Sequence, residues 1–197
     1  MEYDILVFIG RFQIFHLGHA SVVSTALKRA KRVVLVVGSA EQPRNTRNPF
    51  NTAEVIEMIT AVYPDEVSSG RIVFIPQVDW PYSLSRWVME VQSKVTQIAN
   101  TPFTADPVKI GLIGHTKDST SFYLKIFPCW DSVEVPNFAS IDATTLRKDF
   151  FDGKNCKINF SAIPPSVANW LHGWARNGND LSAGYSQIVT ETDFIEK

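Results

Sequence analysis

The sequence predicts an α/β protein built on a doubly wound, Rossmann-like parallel sheet with a small helical appendage at its C-terminal end. Three observations predict it. Short apolar runs recur along the chain, each closed by Gly or Pro. Amphipathic stretches of helical period lie between them, and the alternation gives way after Gly153 to a different pattern. Runs that are apolar at nearly every position fit strands covered on both faces, as in a parallel sheet with helical crossovers.

The first run, ILVFI (5–9), leads into the loop GRFQIFHLGH (10–19). HASVVSTALKRA (19–30) then sets Val22, Val23, Ala26, Leu27 and Ala30 on one helical face, with Lys28 and Arg29 near the end where the helix dipole favours cations. VVLVVG (33–38) is the second strand. TAEVIEMITAVY (52–63) opens on Thr followed by Glu, spaces Val55, Ile56, Ile59 and Val62 for burial, and stops at Pro64. IVFIP (72–76) is the third strand, and SLSRWVMEVQSKVTQIA (83–99) carries Leu84, Trp87, Val88, Val91, Val95 and Ile98 at helical intervals. KIGLIG (109–114), DSVEVP (131–136) and a helix from Thr144 to Phe151 complete the series. Residues 1–153 are therefore expected to form one domain and 154–197 an appendage packed on it. Within the latter, PPSVANWLHGWARNGNDL (164–181) reads as a proline-started helix with Val167, Trp170, Leu171 and Trp174 on its apolar side, broken at Asn-Gly.

Composition narrows the function. The chain has 197 residues and a formal net charge of −1, so no basic excess points to nucleic acid. No apolar stretch is long enough to span a bilayer. The segment MEYDILVFIG lacks the basic n-region and cleavage site of a signal peptide, and a cytoplasmic location is expected. Cys129 and Cys156 have neither a CxxC spacing nor a nearby His pair, which argues for reduced thiols over a zinc site.

The loop GRFQIFHLGH follows a strand and opens a helix, the place where open parallel sheets bind ligands. Gly18 can let a ligand approach the backbone, and the unpaired N–H groups at the helix start attract phosphate. His16 and His19, three residues apart, fall on one side of the first turn, and Arg11 adds a forked cation. Imidazolium rings beside phosphate would donate charge-assisted hydrogen bonds. Two bland readings stand beside this one. A His pair can hold a metal, although no third ligand of suitable type is near, and a turn with satisfied core histidines accounts for one of the two.

The stretch resembles the signature of the HxGH nucleotidylyltransferase superfamily. GRFQ-x-FHxGH is most similar to the archaeal-type nicotinamide-nucleotide adenylyltransferases and to the adenylyltransferase half of bifunctional proteins carrying a Nudix domain. RNPF (47–50) after GSA (38–40), QVDW (77–80) with Trp87 downstream, GHTKDSTSFYLKIFPCWD (114–131) and IDATTLR (141–147) resemble further family segments. No Nudix-type run of glutamates is present, so diphosphate hydrolysis is not expected. Ile14 stands where the family has proline, and Asp142 where serine is usual.

The resemblance implies transfer of AMP from ATP to nicotinamide mononucleotide, giving NAD and pyrophosphate, with Mg2+ carried by the ATP phosphates rather than by protein side chains. It places Gly10, Arg11, His16, Gly18, His19, Gly114, His115, Lys117, Asp118, Thr144, Thr145 and Arg147 around ATP, with His16, His19, Arg11 and Arg147 in the catalytic group. It places Phe12, Gln13, Arg47, Asp79 and Trp87 around the mononucleotide, with Trp87 stacking on the pyridinium ring. A carboxylate at Asp142 would repel polyphosphate unless it points away or shares a magnesium ion. The rivals are another adenylyl- or cytidylyltransferase of the superfamily and a non-catalytic nucleotide sensor. The expected partners are small molecules, with neither nucleic acid nor membrane; a homo-oligomer stays open.

Overall fold

The computed structural model describes residues 1–99, 107–115, 126–136, 138, 141–151 and 158–176. Lys117, Asp118, Cys156 and the Asn-Gly break after Arg176 lie outside the described residues. Five strands form one sheet: β1 (Tyr3–Gly10), β2 (Ala30–Val37), β3 (Ile72–Pro76), β4 (Ile110–Gly114) and β5 (Asp131–Glu134). Their order is β3-β2-β1-β4-β5 and every pairing is parallel. The helices are α1 (Leu17–Arg29), α2 (Thr52–Thr60), α3 (Pro64–Ser68), α4 (Leu84–Ala99), α5 (Ala143–Phe151) and α6 (Pro165–Arg176).

The apolar runs are continuous because both sheet faces are covered. Leu6 and Phe8 of β1 join Val33, Leu35 and Val37 of β2 in a core closed by α1, α2, α5 and α6. The alternate residues, Ile5, Val7, Ile9, Val34 and Val36, meet Val91 and Val95 of α4 and Phe127 on the opposite face. This period-2 division is what the pleat of a strand imposes. Ile14, the proline replacement, is fully buried in the first core, so an apolar side chain supplies packing at that position.

Leu84 is 48% exposed at the first turn of α4, short of the point where Val91 reaches the sheet. One expectation needs correction. The segment expected as one helix over 52–63 ends its α-helix at Thr60, and the short α3 begins at Pro64. In the C-terminal region, α6 sends Val167 and Leu171 into the core shared with the sheet.

The chain order reverses at β1, whose neighbours β2 and β4 continue in opposite directions across the sheet. The loop leaving β1 therefore opens at the switch point, where the crossovers diverge and leave a crevice.

Candidate active site

His16 is the N-cap of α1 and His19 its third residue, and the two imidazoles cap the helix reciprocally. His19 N–H donates to His16 Nδ1, and His16 N–H donates to His19 Nδ1, each at 3.4 Å. The rings stack with centroids 3.7 Å apart and planes 22° from parallel. Each Nδ1 is thereby placed as an acceptor, a role that puts the donor hydrogen of a neutral ring on Nε2. The imidazolium reading belongs to a phosphate-bound site; without an anion beside them, two cations at that separation would repel by about 4 kcal/mol at an effective dielectric of 20.

Aromatic packing fixes the pair. The His19 ring meets Phe12 edge-on at 5.1 Å and stacks on Phe15 at 5.5 Å, with Phe8 at 6.2 Å. Phe12 was expected beside the mononucleotide through its backbone. Its ring is 1% exposed, and its backbone takes the left-handed conformation (φ 55°) that turns the chain out of β1. A Cβ on Gly10 would lie 2.8 Å from Phe12 Cε1, so Gly10 makes room for this ring.

Gly18 has a related reason. A Cβ there would lie 2.8 Å from His16 Cε1 and 2.9 Å from His16 Nδ1. Helix propensity alone favours alanine over glycine by about 1 kcal/mol in a helix interior and by less in a first turn, whereas overpacking costs about 1–3 kcal/mol. Gly18→Ala is therefore expected to lower the melting temperature and to reduce turnover by tenfold or so as His16 is displaced. A thermal melt and a steady-state assay check this; an unchanged or more stable variant with full turnover would show that His16 has room to move.

The loop after the first strand is tied to distant segments. The Gln13 side chain, 6% exposed, bonds both backbone groups of Phe50: its Nε2 donates to the carbonyl at 2.7 Å and its Oε1 accepts from the N–H at 3.0 Å. Arg147, expected on the triphosphate, is 5% exposed. Its Nη1 donates to the Gln13 carbonyl, its Nε to the Thr46 carbonyl at 3.2 Å and its Nη2 to Thr144 Oγ1 at 3.2 Å. It clamps three segments together. His115, at the end of β4, has Nδ1 3.0 Å from the Val135 carbonyl and Nε2 3.3 Å from that of Gly18. It thus joins Gly114 and its strand to the start of α1.

Asp142 is the true cap of α5. Its carboxylate accepts the N–H of Thr144 at 3.1 Å, the N–H of Thr145 at 3.0 Å and the Thr145 hydroxyl at 2.7 Å. Three of the donors expected to meet phosphate are thus engaged by Asp142, while the Thr144 hydroxyl oxygen accepts from Arg147. The Thr145 hydroxyl, aided by the two N–H groups and Arg147 and opposed by some desolvation, holds this carboxyl below its ordinary value of 3.8. A folded-state pKa below the unfolded one means that the cap's contribution is full above that ordinary value and is lost as pH falls through the lower folded one. Asp142→Ala is expected to cost about 1 kcal/mol, Asp142→Ser much less, because serine also caps. Denaturant titration at neutral pH measures both; equal losses would mean that the cap contributes nothing.

A second group gathers over the ends of β2 and β3. Asp79 accepts from the Ser39 hydroxyl at 2.7 Å and from the Ser39 N–H at 3.3 Å, holding Ser39 at φ 55°. Gln77, fully buried, and Trp80 both donate to Glu90 of α4, at 3.1 and 2.9 Å, and Arg86 lies 3.4 Å over the Trp80 ring. Arg11 is exposed to solvent yet sits in a concavity. Loss of surrounding water is the largest influence lowering its pKa, the Arg47 cation adds to it and Asp79 opposes it. Arg47 and Asp79, from two other loops, thus both act on Arg11, and Arg11 Nη1 reaches Asn48 Oδ1 at 3.5 Å. Beside them is a cavity of about 290 Å³ whose walls include Gln13, Gly38, Ser39, Glu41, Phe50 and Asn51. Trp87 does not line it; its half-buried ring lies 6.1 Å from Phe127 under α4.

Ser39, Asn48, Phe50 and Glu90 carried no assigned role in the sequence, although GSA and RNPF had marked the first three positions. Among the described residues, no group of three His, Cys, Asp or Glu side chains is placed to hold a metal ion. No described helix is long and apolar enough to cross a membrane.

Comparison with known proteins agrees with this geometry. Residues 7–96 match the cytidylyltransferase-like family model. The chain is 38% identical over 171 residues to the nicotinamide/nicotinic acid mononucleotide adenylyltransferase of Acinetobacter baylyi, covering 86% of each protein. Over 89 residues, 45% of this chain and 52% of the relative, it is 38% identical to the nicotinamide-nucleotide adenylyltransferase of Ignicoccus hospitalis. Among solved structures, it is similar to a bifunctional NMN adenylyltransferase/ADP ribose pyrophosphatase from Francisella tularensis, complexed with AMP and a manganese ion, with a TM-score of 0.78 and 29% identity. That match covers 98% of this chain and 54% of the Francisella chain, so the present chain spans about half the bifunctional protein. With the parallel sheet, the switch-point loop and the capped histidine pair already in place, these likenesses mean that the chain belongs to the nicotinamide-nucleotide adenylyltransferase family.

Proposed function

We propose that the protein transfers AMP from ATP to nicotinamide mononucleotide. A phosphate oxygen of the mononucleotide attacks the α-phosphorus of ATP in line. The P–O bond to the β-phosphate breaks, and NAD and pyrophosphate are released. The nucleophile is already an anion, so no general base is required, and catalysis consists of alignment and of neutralising charge on the leaving group.

The observation that carries this reading is the stacked pair at the N-terminus of α1, whose Nδ1 atoms are turned to the backbone, which makes Nε2 the donor nitrogen of each ring. Two such donors, beside the N–H groups of the first helical turn, suit the oxygens of a triphosphate. His16 and His19 are assigned to those oxygens, His19 to the transition state. Gly10 and Gly18 shape the loop, and Arg11 supplies charge. Gly114 and His115 border the adenosine side, with Lys117 and Asp118 assigned there by resemblance. Arg147 holds the Gln13 and Thr46 segments in place, and Thr144 and Thr145 serve the phosphates at the edge of α5 once Asp142 shares them. Arg47 and Asp79 are assigned to the mononucleotide, with Gln13 and Phe12 contributing backbone contacts and Trp87 assigned to the pyridinium ring by resemblance alone. Mg2+ arrives bound to the triphosphate as part of the substrate. A cytoplasmic location and the division at residue 153 belong to the same reading.

The test is direct: purified protein with ATP, Mg2+ and nicotinamide mononucleotide, NAD being measured through a coupled dehydrogenase, with nicotinate mononucleotide in parallel. NAD formation that stops on chelation of the metal is expected. ATP binding without product from either mononucleotide would overturn the proposal.

A further inference from the structure

The C-terminal helix α6 has a contact that packing alone does not require. Trp174 Nε1–H donates to Glu54 Oε1 at 2.7 Å, from the last turns of α6 to the first turn of α2. The same carboxylate receives both guanidinium branches of Arg44, Nη1 to Oε2 at 2.7 Å and Nη2 to Oε1 at 2.9 Å. Arg44 Nη1 also donates to the Pro49 carbonyl at 2.6 Å, and its guanidinium lies 5.9 Å from the Trp174 ring centroid. Glu54 Oε2 takes the Asn51 N–H at 2.8 Å, completing the cap of α2. One half-buried carboxylate therefore joins α6 to both ends of the 44–51 segment.

That segment borders the candidate site along its length. It carries Arg47, the Thr46 carbonyl held by Arg147, Asn48 beside Arg11, and Phe50, whose backbone is bonded to Gln13. Phe50 itself is packed edge-on against Trp174 at 5.1 Å and Trp170 at 5.7 Å. Bidentate charge-assisted pairing fixes direction as well as distance, which hydrophobic contact alone does not.

We propose that Trp174, acting through Glu54 and Arg44, is a positioning residue that holds the 44–51 segment in the conformation that receives the mononucleotide. ATP is assigned to the α1 loop, whose His16–His19 pair is capped within α1 itself, so the larger effect is expected on the mononucleotide. The inference rests on the reaction proposed above for its kinetic readout, and on the segment's own geometry for the structural one.

Trp174→Phe keeps an aromatic ring and removes the N–H donor. In the full-length chain, the expected result is a rise of about threefold to tenfold in KM for nicotinamide mononucleotide. KM for ATP and kcat should stay within about twofold, the size of change that marginal coupling produces. Amide hydrogen exchange at Asn48 and Phe50, whose N–H groups bond Asn45 Oδ1 and Gln13 Oε1, should speed up. Glu54→Gln should give the same pattern. Trp170→Phe, which removes a 3.4 Å contact to Glu57 and keeps a ring beside Phe50, should raise the mononucleotide KM less than Trp174→Phe does. An unchanged KM and exchange rate in Trp174→Phe would overturn the proposal, as would a parallel worsening of both KM values and kcat with a lowered melting temperature. If the unmodified protein makes no NAD, the assigned reaction fails. The exchange rates then decide alone: faster exchange in Trp174→Phe and Glu54→Gln supports the positioning role, and unchanged exchange ends it.

Discussion

Replacing His19 with alanine is expected to lower kcat by about a hundredfold or more, the usual loss on removing one preorganised donor from developing negative charge. The size follows from preorganisation. The His19 ring is held by His16 on one side and Phe15 on the other, with Phe12 at its edge, so the role proposed for its Nε2 requires no rotamer change. Alanine also removes the acceptor for the His16 N–H, so a second variant separates the effects. In His19→Asn the δ-oxygen can take the place of Nδ1 and preserve the cap, while nothing replaces Nε2–H. Turnover should fall as far in the asparagine variant as in the alanine one, with a melting temperature closer to the parent. Steady-state kinetics and thermal melts measure both. Retention of more than a tenth of kcat in His19→Asn would mean that the pair serves the fold and that phosphate is stabilised elsewhere.

Much of this arrangement was legible in the sequence because it is local. Strands apolar at every position announce two covered faces, and β1 to β3 show that division residue by residue. The His pair was legible for the same reason: three residues separate the rings, and a helix start brings them together. What periodicity does not encode is where the supporting sheet ends, which is why Leu84, in phase with Val91 and Val95, emerges exposed. The α3 turn has no buried residue to mark it. Asp142 was readable in principle, since an aspartate before a helix is an N-cap signal. The orientation of the histidine rings needed atomic distances, because sequence spacing does not say which ring nitrogen turns to the backbone.

Arg147 shows the other limit. Its principal partner, the Gln13 carbonyl, is 134 residues away in sequence, and no local pattern announces that pairing. The consequence is a second large expected effect. Arg147→Lys retains the charge, but one ammonium cannot reach the Gln13 carbonyl, the Thr46 carbonyl and Thr144 Oγ1 together. The buried Gln13 carbonyl left without a donor costs about 1–3 kcal/mol. In a domain of this size that corresponds to a fall of roughly 2–12 °C in melting temperature. Turnover should collapse with it, because Gln13 lies in the loop that delivers His16, and the KM values for ATP and the mononucleotide should rise together. An arginine acting only as an open phosphate ligand would behave differently: its lysine replacement would fold with the parent's melting temperature and show a raised KM for ATP alone. Melting the variant with and without ATP, then measuring both KM values, separates the two outcomes. An unaltered melting temperature with an ATP-only defect would return Arg147 to the triphosphate and remove it as the clamp between the α1 loop, the 44–51 segment and α5.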